Sequence, residues 1–514
     1  MADDTTPWWR EAVVYQIYPR SFADSNSDGV GDLAGITSKL DYLADLGVDA
    51  LWLSPIFTSP MHDFGYDVAD YCGIDPVFGT DADFDDLLTG VHERGMRLLL
   101  DWVPNHSSSE HPWFVESRSS RDNPKRDWYV WRDRQDDGSP PTNWMSQFKG
   151  VPAWTHDDLT DQSYLHVFLA EQPDLNWANP DVEAAMLDSL RYWLDRGVDG
   201  FRSDVVNLIG KGTDVDDLPD ELVTMPLLAC DRPFGHELLR RIRQLLDSYE
   251  HQPMMVGEVY LLRAGESASY LGTPEAPELQ LSFDFRPIHT RWEADRMQSA
   301  LSKMEVDFAE PGWPTFVLSN HDQPRHRTRY GSQARARAAA VVALTMRGTP
   351  FLYAGEELGL EDGIVPPGRV VDPDGRDGCR APIPWTVDGD DESGHGWPVR
   401  PWLPFPANAS SNAADVQVGV RDSMHTLYRD LLALRHHNRV LRRGDVEFVE
   451  SDGDVIRFER SLGGERIVVL VNFADRPAPW PVDLAESVVV LSTDRERTLA
   501  GGELGPDEAT VLQM

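Results

Sequence analysis

The sequence predicts a protein of the α/β class: a (β/α)8 TIM barrel with a subdomain inserted after strand 3 and a C-terminal antiparallel β domain. Three observations predict this arrangement. Short apolar runs alternate with longer amphipathic stretches through most of the 514 residues, the alternation is interrupted once after the third run, and the last part of the chain contains only short alternating segments. A chain of this length is expected to form one large domain with smaller ones attached.

Eight apolar runs are the predicted barrel strands. They span residues 13–18, 50–53, 97–103, 200–205, 254–259, 279–283, 315–319 and 351–354. Helix patterns at 33–46, 83–94, 182–196 and 233–248 are each long enough to cross back over a sheet. An open, doubly wound parallel sheet is the alternative, because its strands have the same composition.

The interruption and the C-terminal segments define the predicted domains. Residues 106–175 are rich in Trp, Asp, Pro and Ser without a clear period, which is typical of a functional excursion from a barrel. We therefore predict a catalytic barrel from 1–105 and 176–440, an inserted subdomain B from 106–175 and a C-terminal β-sandwich domain from 441–514. Residues 363–411 are predicted to form a loop layer over the barrel mouth.

The charge of the chain excludes several classes of partner. Asp and Glu number 86 against 47 Lys and Arg, a formal net charge of −39, which repels nucleic acid and anionic membrane surfaces. Hydrophobic residues make up 41% and aromatic residues 10%, values typical of globular proteins. A neutral or cationic small molecule is the expected partner, with no nucleic acid and no membrane.

Cysteine usage and the N-terminal sequence indicate the compartment. Cys72, Cys230 and Cys379 are too few and too widely spaced for a disulfide framework or a zinc site. The N terminus lacks the basic and apolar regions of a signal peptide, and no run approaches the ~18 apolar residues of a membrane span. We expect a cytoplasmic protein that is a monomer or homodimer.

Polar side chains lie at the C-terminal ends of four of the predicted strands. The sequences are Asp101-Trp-Val-Pro-Asn-His106, Gly200-Phe-Arg-Ser-Asp204, Gly257-Glu-Val259 and Asn320-His-Asp322. In a parallel barrel such strand ends converge on one pocket. Carboxylates gathered there raise one another's pKa, so they are expected only where chemistry uses them.

Paired carboxyl groups of this kind perform acid/base chemistry at a glycosidic bond. One must stay ionised to attack the anomeric carbon, and the other must hold a proton for the leaving oxygen. Arg202 lies two residues before Asp204 and therefore on the same side of the strand, where it would keep Asp204 ionised. Glu258 is then the proton donor. The alternative for any single acid is a helix cap or a surface ion pair.

These sequences resemble glycoside hydrolase family 13, the α-amylase family, in its α-glucosidase and oligo-1,6-glucosidase branch. The resemblance runs from about Trp9 to the C terminus, keeps the family order, and includes Gln172-Pro-Asp-Leu-Asn-Trp177 and Ser319-Asn-His-Asp-Gln-Pro-Arg325. It implies that Asp204 is the nucleophile, that Glu258 is the acid/base, and that Asp322 grips sugar hydroxyls in the transition state.

The resemblance also implies residues that hold the sugar. His106 and His321 would hydrogen-bond the non-reducing glucosyl unit, Arg202 would orient Asp204, and Phe168 and Gln172 would shape the cavity from the inserted subdomain.

The segment Asp63-Phe-Gly-Tyr66 resembles the family element whose Asp caps the terminal glucose and whose Tyr stacks on the ring. Arg380 resembles the arginine that pairs with this Asp, with Arg376 as a competitor. Such a pair would close one end of the pocket and make the enzyme exo-acting.

The function implied is that of a retaining, exo-acting α-glucosidase. It would hydrolyse terminal α-1,4- or α-1,6-linked glucose from short oligosaccharides such as maltose, isomaltose or sucrose, with transglucosylation as a companion activity. Val205, directly after the nucleophile, is similar to the residue of relatives that cleave α-1,6 bonds, which implies α-1,6 activity with α-1,4 activity also possible. The alternatives are an oligo-1,6-glucosidase proper, a sucrose isomerase or transglucosylase, a trehalose-6-phosphate hydrolase and, outside the enzymes, an inactive scaffold of this family.

One loop predicts a metal ion. Asp24-Ser-Asn-Ser-Asp-Gly-Val-Gly-Asp32 spaces oxygen ligands two residues apart, as a hard cation requires. It resembles the structural Ca²⁺ loop of the oligo-1,6-glucosidase branch, with Asp24, Asn26, Asp28, Asp32 and the Val30 carbonyl as ligands of a structural Ca²⁺ (or Mg²⁺). An Asx-rich turn that caps the next helix is the alternative. No organic cofactor is expected.

Overall fold

The centre of the computed structural model is a barrel of eight parallel strands; the structure describes residues 6–148, 150–213, 215–261, 265–390, 392–450 and 453–514. The barrel strands are β1 (Val14–Ile17), β2 (Ala50–Leu53), β3 (Arg97–Trp102), β4 (Gly200–Ser203), β5 (Met254–Gly257), β6 (Leu281–Ser282), β7 (Thr315–Val317) and β8 (Thr349–Tyr353). Backbone hydrogen bonds join them in the order β6-β5-β4-β3-β2-β1-β8-β7. Since β1 pairs with both β2 and β8, the barrel is confirmed and the open doubly wound sheet is excluded.

The barrel closes between β6 and β7 through a side chain rather than a strand ladder. The Thr315 hydroxyl donates to the Ser282 carbonyl at 3.2 Å and accepts the Asp284 N–H at 3.0 Å. Side chains such as Val14, Trp52, Leu99 and Val256 fill the interior, as expected of a packed barrel core.

Helices cover the barrel, most of them amphipathic, whereas Gln333–Thr345 is buried on every side from Ala336 onward. They are Leu33–Thr37, Leu40–Leu46, Asp81–Glu93, Pro180–Asp195, Pro233–Asp247, Ala294–Asp307, Gln333–Thr345 and Met424–His437. Several begin at a side chain that accepts a backbone N–H, including the reciprocal Thr80–Asp83 capping box. The single helix predicted at 33–46 is wrong: Lys39 leaves the helical conformation, so two helices form.

Shorter elements complete the barrel region. They are the helices Trp8–Glu11, Arg286–His289, His326–Tyr330, Ala409–Asn412, Ala414–Gln417 and Arg439–Arg443, and the antiparallel pair Phe57–Thr58 and Asp70–Ile74. In the described part of the segment after β5 the chain forms a 3₁₀ helix, Glu266–Leu271.

The chain between β3 and the helix Pro180–Asp195 folds beside the barrel mouth. It contains the helix Pro112–Ser119 and an antiparallel sheet of Trp131–Arg132, Gln162–Leu165 and Trp154–Asp157. After the barrel, β9 (Asp445–Val449), β10 (Val455–Leu462), β11 (Glu465–Asn472), β12 (Val488–Ser492) and β13 (Ala509–Gln513) form an antiparallel sheet in the order β9-β10-β11-β13-β12. The domain boundaries themselves stay predictions.

No helix within the described residues has the length and apolar character needed to cross a lipid bilayer.

Candidate active site

A cavity of about 340 Å³ opens at the C-terminal ends of the barrel strands. This volume lies at the lower end of the range for small-molecule sites, roughly 300–1,000 Å³. The predicted site residues among its lining are Asp63, Tyr66, His106, Phe168, Asp204, Glu258 and Asp322. The other four, Gln172, Arg202, His321 and Arg380, are buried behind them.

The floor of the cavity is organised by one arginine. Arg202, in β4, donates from Nη1 to Asp101 and to Asp204 at 2.7 Å each, and from Nη2 to Glu258 at 2.5 Å. Arg202 and Asp204 meet because alternate residues of a strand share a face. Asp101 is opposite Arg202 in the β3–β4 register, and Glu258 directly follows β5. We call these four residues the floor cluster.

A strained backbone follows Asp204, one of the three carboxyl groups that contact Arg202. Val205 has φ +31° and ψ +48°, a left-handed conformation that is costly for a β-branched residue. In this conformation its N–H donates to Oε2 of Glu258 at 3.1 Å. The turn after Asp204 therefore helps to fix the neighbouring carboxyl group.

The floor cluster holds three carboxyl groups around one guanidinium. Burial raises the pKa of Asp101 to about 7, and Arg202 only partly opposes this effect. Burial, opposed by Arg202 and reinforced by the charges of Glu258 and Asp101, also raises the pKa of Asp204 well above its usual range. Both shifts favour a protonated carboxyl group within the cluster near neutral pH.

A second ion-pair network closes one side of the cavity. Arg376 donates from Nη2 to Asp63 at 2.6 Å and to Asp372 at 2.7 Å, and from Nη1 to Asp322 at 3.1 Å. Arg380 donates to Asp372 at 3.0 Å and to Asp322 at 3.3 Å. We call these five residues the gate cluster.

The charge balance of the gate cluster favours ionised carboxylates. Burial acts to raise the pKa of Asp322, but the positive charges of His321 when protonated, Arg376 and Arg380 hold it below its usual range. Burial is similarly outweighed by Arg376 and Arg380 at Asp372, whose pKa is lowered. Asp63 differs, since burial raises its pKa despite Arg376.

The expected pairing of Asp63 with Arg380 is corrected by these contacts. Arg376 forms that ion pair, whereas Arg380 is fully buried and donates to the His321 carbonyl at 2.8 Å as well as to the two aspartates. Both arginines lie in the turn Arg376–Arg380, and only Arg376 reaches the cavity lining. Residue types alone gave no means to choose between them.

The two predicted histidines differ in their surroundings. His106 packs against Phe168, with ring centroids 5.1 Å apart, and its Nε2 lies 3.1 Å from the Gln172 amide, which also donates to Asp63. His321 lies behind Tyr66 with the rings nearly parallel at 5.4 Å. Burial lowers the pKa of each histidine to about 3, so both are neutral at pH 7.

Several lining residues were not predicted. They are Gln147, Phe148, Val205, Met225, Leu227, Leu228, Tyr260, Gln323, Asp374 and Arg376, of which only Val205 and Arg376 had been considered. Most lie in loops, where no strand-end rule applies. Tyr260 and Gln323 follow predicted residues closely in sequence, and this proximity was the available signal. Asp101 belonged to a recognised sequence but had been given no role.

The acidic loop after β1 lies apart from the cavity, which none of its residues lines. Asp24 accepts backbone N–H groups of Asn26, Ser27 and Gly29 at 2.8–3.0 Å, and Asp32 caps the helix Leu33–Thr37 through Gly35. Within the described residues no three His, Cys, Asp or Glu side chains form a metal-holding group.

The donor types in this loop still suit a hard cation, because the predicted set also counts an amide and a backbone carbonyl. Asp24, Asn26, Asp28, the Val30 carbonyl and Asp32 would hold the ion, which would stiffen the loop and leave the cavity chemistry untouched. This site stays a prediction.

Comparisons with known proteins find relatives along most of the chain. The family described as "Alpha amylase, catalytic domain" matches residues 16–444. A "Probable alpha-glucosidase" of Rhizobium meliloti (strain 1021) is 42% identical over 92% of this chain and 90% of its own. An "Oligo-1,6-glucosidase" of Parageobacillus thermoglucosidasius is 37% identical over 91% of each chain. The crystal structure of XgtA, an "alpha-glucosyl transfer enzyme", is 38% identical, with a TM-score of 0.91 over 99% of this chain and 100% of its own.

Proposed function

The chain belongs to the α-amylase family of glycoside hydrolases, family 13, and from this premise we propose that it is a retaining, exo-acting α-glucosidase. Its substrates are short oligosaccharides with a terminal, non-reducing α-1,4- or α-1,6-linked glucose. The names of the relatives support the substrate class, and the geometry of the cavity supports the mechanism and the mode of attack.

The observation that carries the proposal is the shared guanidinium of Arg202. Asp204 and Glu258 bind its two terminal nitrogens at 2.7 and 2.5 Å, so both face one small cavity. Glu258 is also near enough to contribute, by charge and by hydrogen bonding, to the raised pKa of Asp204. Retaining glycosidases need a separation of roughly 5–5.5 Å, whereas inverting enzymes need room for a water molecule between the carboxyls.

In the first step Asp204 attacks C1 of the terminal glucose while Glu258 donates its proton to the leaving oxygen. This step requires the proton to lie on Glu258 and Asp204 to be ionised; Arg202 donates to both carboxyl groups and stabilises the carboxylate that attacks. The bond from C1 to the leaving oxygen breaks, and a β-glucosyl ester of Asp204 forms.

In the second step Glu258, now a carboxylate, takes a proton from water as the water oxygen attacks C1. The ester bond breaks, Asp204 regains its carboxylate and α-glucose leaves, so the configuration is retained. Asp322 is kept ionised by the gate cluster and is placed in the lining to bind sugar hydroxyls.

The gate cluster supports exo attack. Asp63 and Arg376 are joined across the cavity side at 2.6 Å, and both are largely buried. A glucan chain running through this side would have to break a buried ion pair and leave its charges unpaired, which costs several kcal/mol. A single terminal sugar requires no such break.

Two alternative activities, glucosyl transfer and trehalose-6-phosphate hydrolysis, differ in their support. Transfer to another hydroxyl uses the same intermediate and is favoured by the likeness to XgtA. Trehalose-6-phosphate hydrolysis is disfavoured because five carboxyl groups line the cavity, Asp63, Asp204, Glu258, Asp322 and Asp374. Arg376, the lining arginine within the described residues, already binds three aspartates.

The test is a substrate panel combined with product stereochemistry. Initial rates on maltose, isomaltose, sucrose, trehalose and trehalose 6-phosphate are measured, and proton nuclear magnetic resonance (NMR) identifies the first anomer of released glucose. The proposal expects α-glucose first, with isomaltose among the good substrates and the phosphorylated sugar poor. β-Glucose first, or trehalose 6-phosphate as the preferred substrate, would refute it.

A further inference from the structure

Protein groups hold both ring nitrogens of His321. Nδ1 lies 2.7 Å from Nε2 of Gln16, a residue of β1, and Nε2 lies 2.6 Å from the hydroxyl of Tyr66. Gln16 is 1% exposed, as is His321, so water does not compete for these contacts. An amide nitrogen only donates, which makes Nδ1 the acceptor and places the proton of the neutral ring on Nε2.

The other end of the network demands the same tautomer. When Asp101 is ionised, the Tyr66 hydroxyl donates to its Oδ2 at 3.0 Å, because a carboxylate can only accept. The Tyr66 oxygen must then accept from His321 rather than donate to it. The Gln16 contact therefore places the His321 proton on Nε2, and the Tyr66 contact does the same whenever Asp101 is ionised.

We propose that Gln16 is a positioning residue for the glycosidase reaction, which selects the Nε2–H tautomer of His321 and through it orients Tyr66 and Asp322 in the cavity. The proposal rests on the proposed function, since it gives those two residues a sugar to bind. Nε2 of His321 lies 3.3 Å from Oδ2 of Asp322 as well as 2.6 Å from Tyr66. The Nε2–H thus hydrogen-bonds Tyr66 and faces the carboxylate of Asp322.

The opposite tautomer would disturb the floor cluster. With the proton on Nδ1, the bare Nε2 would face Oδ2 of Asp322, and the Tyr66 hydroxyl would turn from Asp101 to the imidazole. Asp101 would lose a donor while remaining bound to Arg202. The side chain of Gln16 is therefore coupled, through His321, Tyr66 and Asp101, to the arginine that holds Asp204 and Glu258.

The charged and titratable groups around His321 decide its ionisation. They are Asp322, Arg380, Arg202, Arg376, Tyr66 and the stacked ring of Tyr18. Burial lowers the pKa of His321 to about 3, the three arginines act in the same direction, and Asp322 opposes them. The ring is neutral at neutral pH, so its tautomer is the variable that Gln16 controls.

The direct test is ¹⁵N NMR of the full chain labelled at histidine, with the His321 signals identified by their loss in His321→Gln. The proposal expects a neutral ring protonated on Nε2 in the wild-type protein. Protonation on Nδ1 overturns it, whatever the enzyme does to sugars. This arm therefore separates a failure of the inference from a failure of the proposed function.

Kinetics of two variants give a second test. Gln16→Leu removes the donor, and kcat/KM is expected to fall roughly 10- to 100-fold. Gln16→Glu places an acceptor against Nδ1 and thereby favours a proton on that nitrogen. Nε2 then carries a proton only when the ring is doubly protonated. The added carboxylate raises the pKa of His321, so the Glu variant should gain on the Leu variant as the pH falls.

The matched control is Gln280→Leu. Gln280 is also a buried glutamine, but it donates to the Pro253 carbonyl and accepts from the Met255 N–H, away from the cavity. This variant should keep kcat/KM within twofold per folded molecule. A Gln16→Leu enzyme as active as this control, or Glu and Leu variants with the same pH profile, would overturn the proposal.

Discussion

The floor and gate clusters both combine arginine with carboxyl groups, but they differ in the number of arginines for each carboxyl group. One guanidinium serves three carboxyl groups in the floor cluster, whereas two serve three in the gate cluster. The pKa of Asp101 and of Asp204 is raised by burial in the former, and the pKa of Asp322 and of Asp372 is lowered in the latter. The additional arginine of the gate cluster favours the ionised form of Asp322 and Asp372, whereas Asp63 resembles the floor carboxyls in its raised pKa.

The largest expected effect tests the floor cluster as the reaction centre. Asp204→Asn still accepts a hydrogen bond from Arg202 but cannot form the glucosyl ester, so kcat on maltose or isomaltose should fall roughly 10⁴-fold or more. The thermal midpoint should change little by comparison. If Asp204→Asn kept a tenth of the parent rate, the floor cluster would not be the reaction centre.

The gate cluster is tested by exchanging its lining arginine. Arg376→Met leaves Asp63, Asp322 and Asp372 with fewer counter-charges, and kcat/KM should fall about 100-fold, since truncating a buried charge pair costs about 2–5 kcal/mol. Arg369→Met is the control, because Arg369 pairs with the half-exposed Glu392 outside the cavity. Equal kinetics for the two variants would contradict a binding role for the gate.

The raised pKa of Asp101 predicts a pH signature in stability. A carboxyl whose folded pKa is raised to about 7 stabilises the fold below its unfolded pKa near 4, and this contribution is lost as the pH rises through 7. Relative to Asp101→Asn, the wild-type protein should therefore lose unfolding free energy between pH 4 and 7, by at most about 1.4 kcal/mol for each pH unit. Chemical denaturation of both proteins at several pH values measures this change. If the wild-type protein instead gained unfolding free energy relative to Asp101→Asn between pH 4 and 7, Asp101 would be stabilised as an anion.

The smallest effect concerns the acidic loop, which belongs to neither cluster. Excess Ca²⁺ should raise the thermal midpoint by a few degrees through preferential binding to the folded state, and a chelator should reverse this. Asp24→Asn should abolish the shift with catalytic rates unchanged. Asp137→Asn, which alters a similar turn outside the loop, should retain it. If Ca²⁺ did not shift the thermal midpoint of the wild-type protein, the loop would be only an Asx-rich turn that caps the next helix.

The sequence was most informative where regular structure determines position. Asp204, Glu258 and Arg202 could be placed because strand ends of a parallel barrel converge and because residues two apart share a face. Several predicted strands extend past the observed ones at this end, as at Val205 and Val259, because the chain leaves the sheet to build the cavity.

The gate cluster was less predictable, since it comes from an irregular loop. Arg376 and Arg380 lie four residues apart in one turn, and only the path of that turn shows which of them reaches Asp63. Met225 and Leu228 reach the lining from the long segment after β4, whose course no periodicity indicates. Such contacts depend on packing between loops distant in sequence.

The most direct measurement is to trap the intermediate with a fluorinated α-glucosyl substrate that turns over slowly, followed by mass spectrometry of the digested protein. The account predicts one glucosyl group per molecule, attached to the carboxyl of Asp204 and absent in Asp204→Asn. A label on Glu258 or Asp322, or hydrolysis with no covalent species at any time, would contradict it.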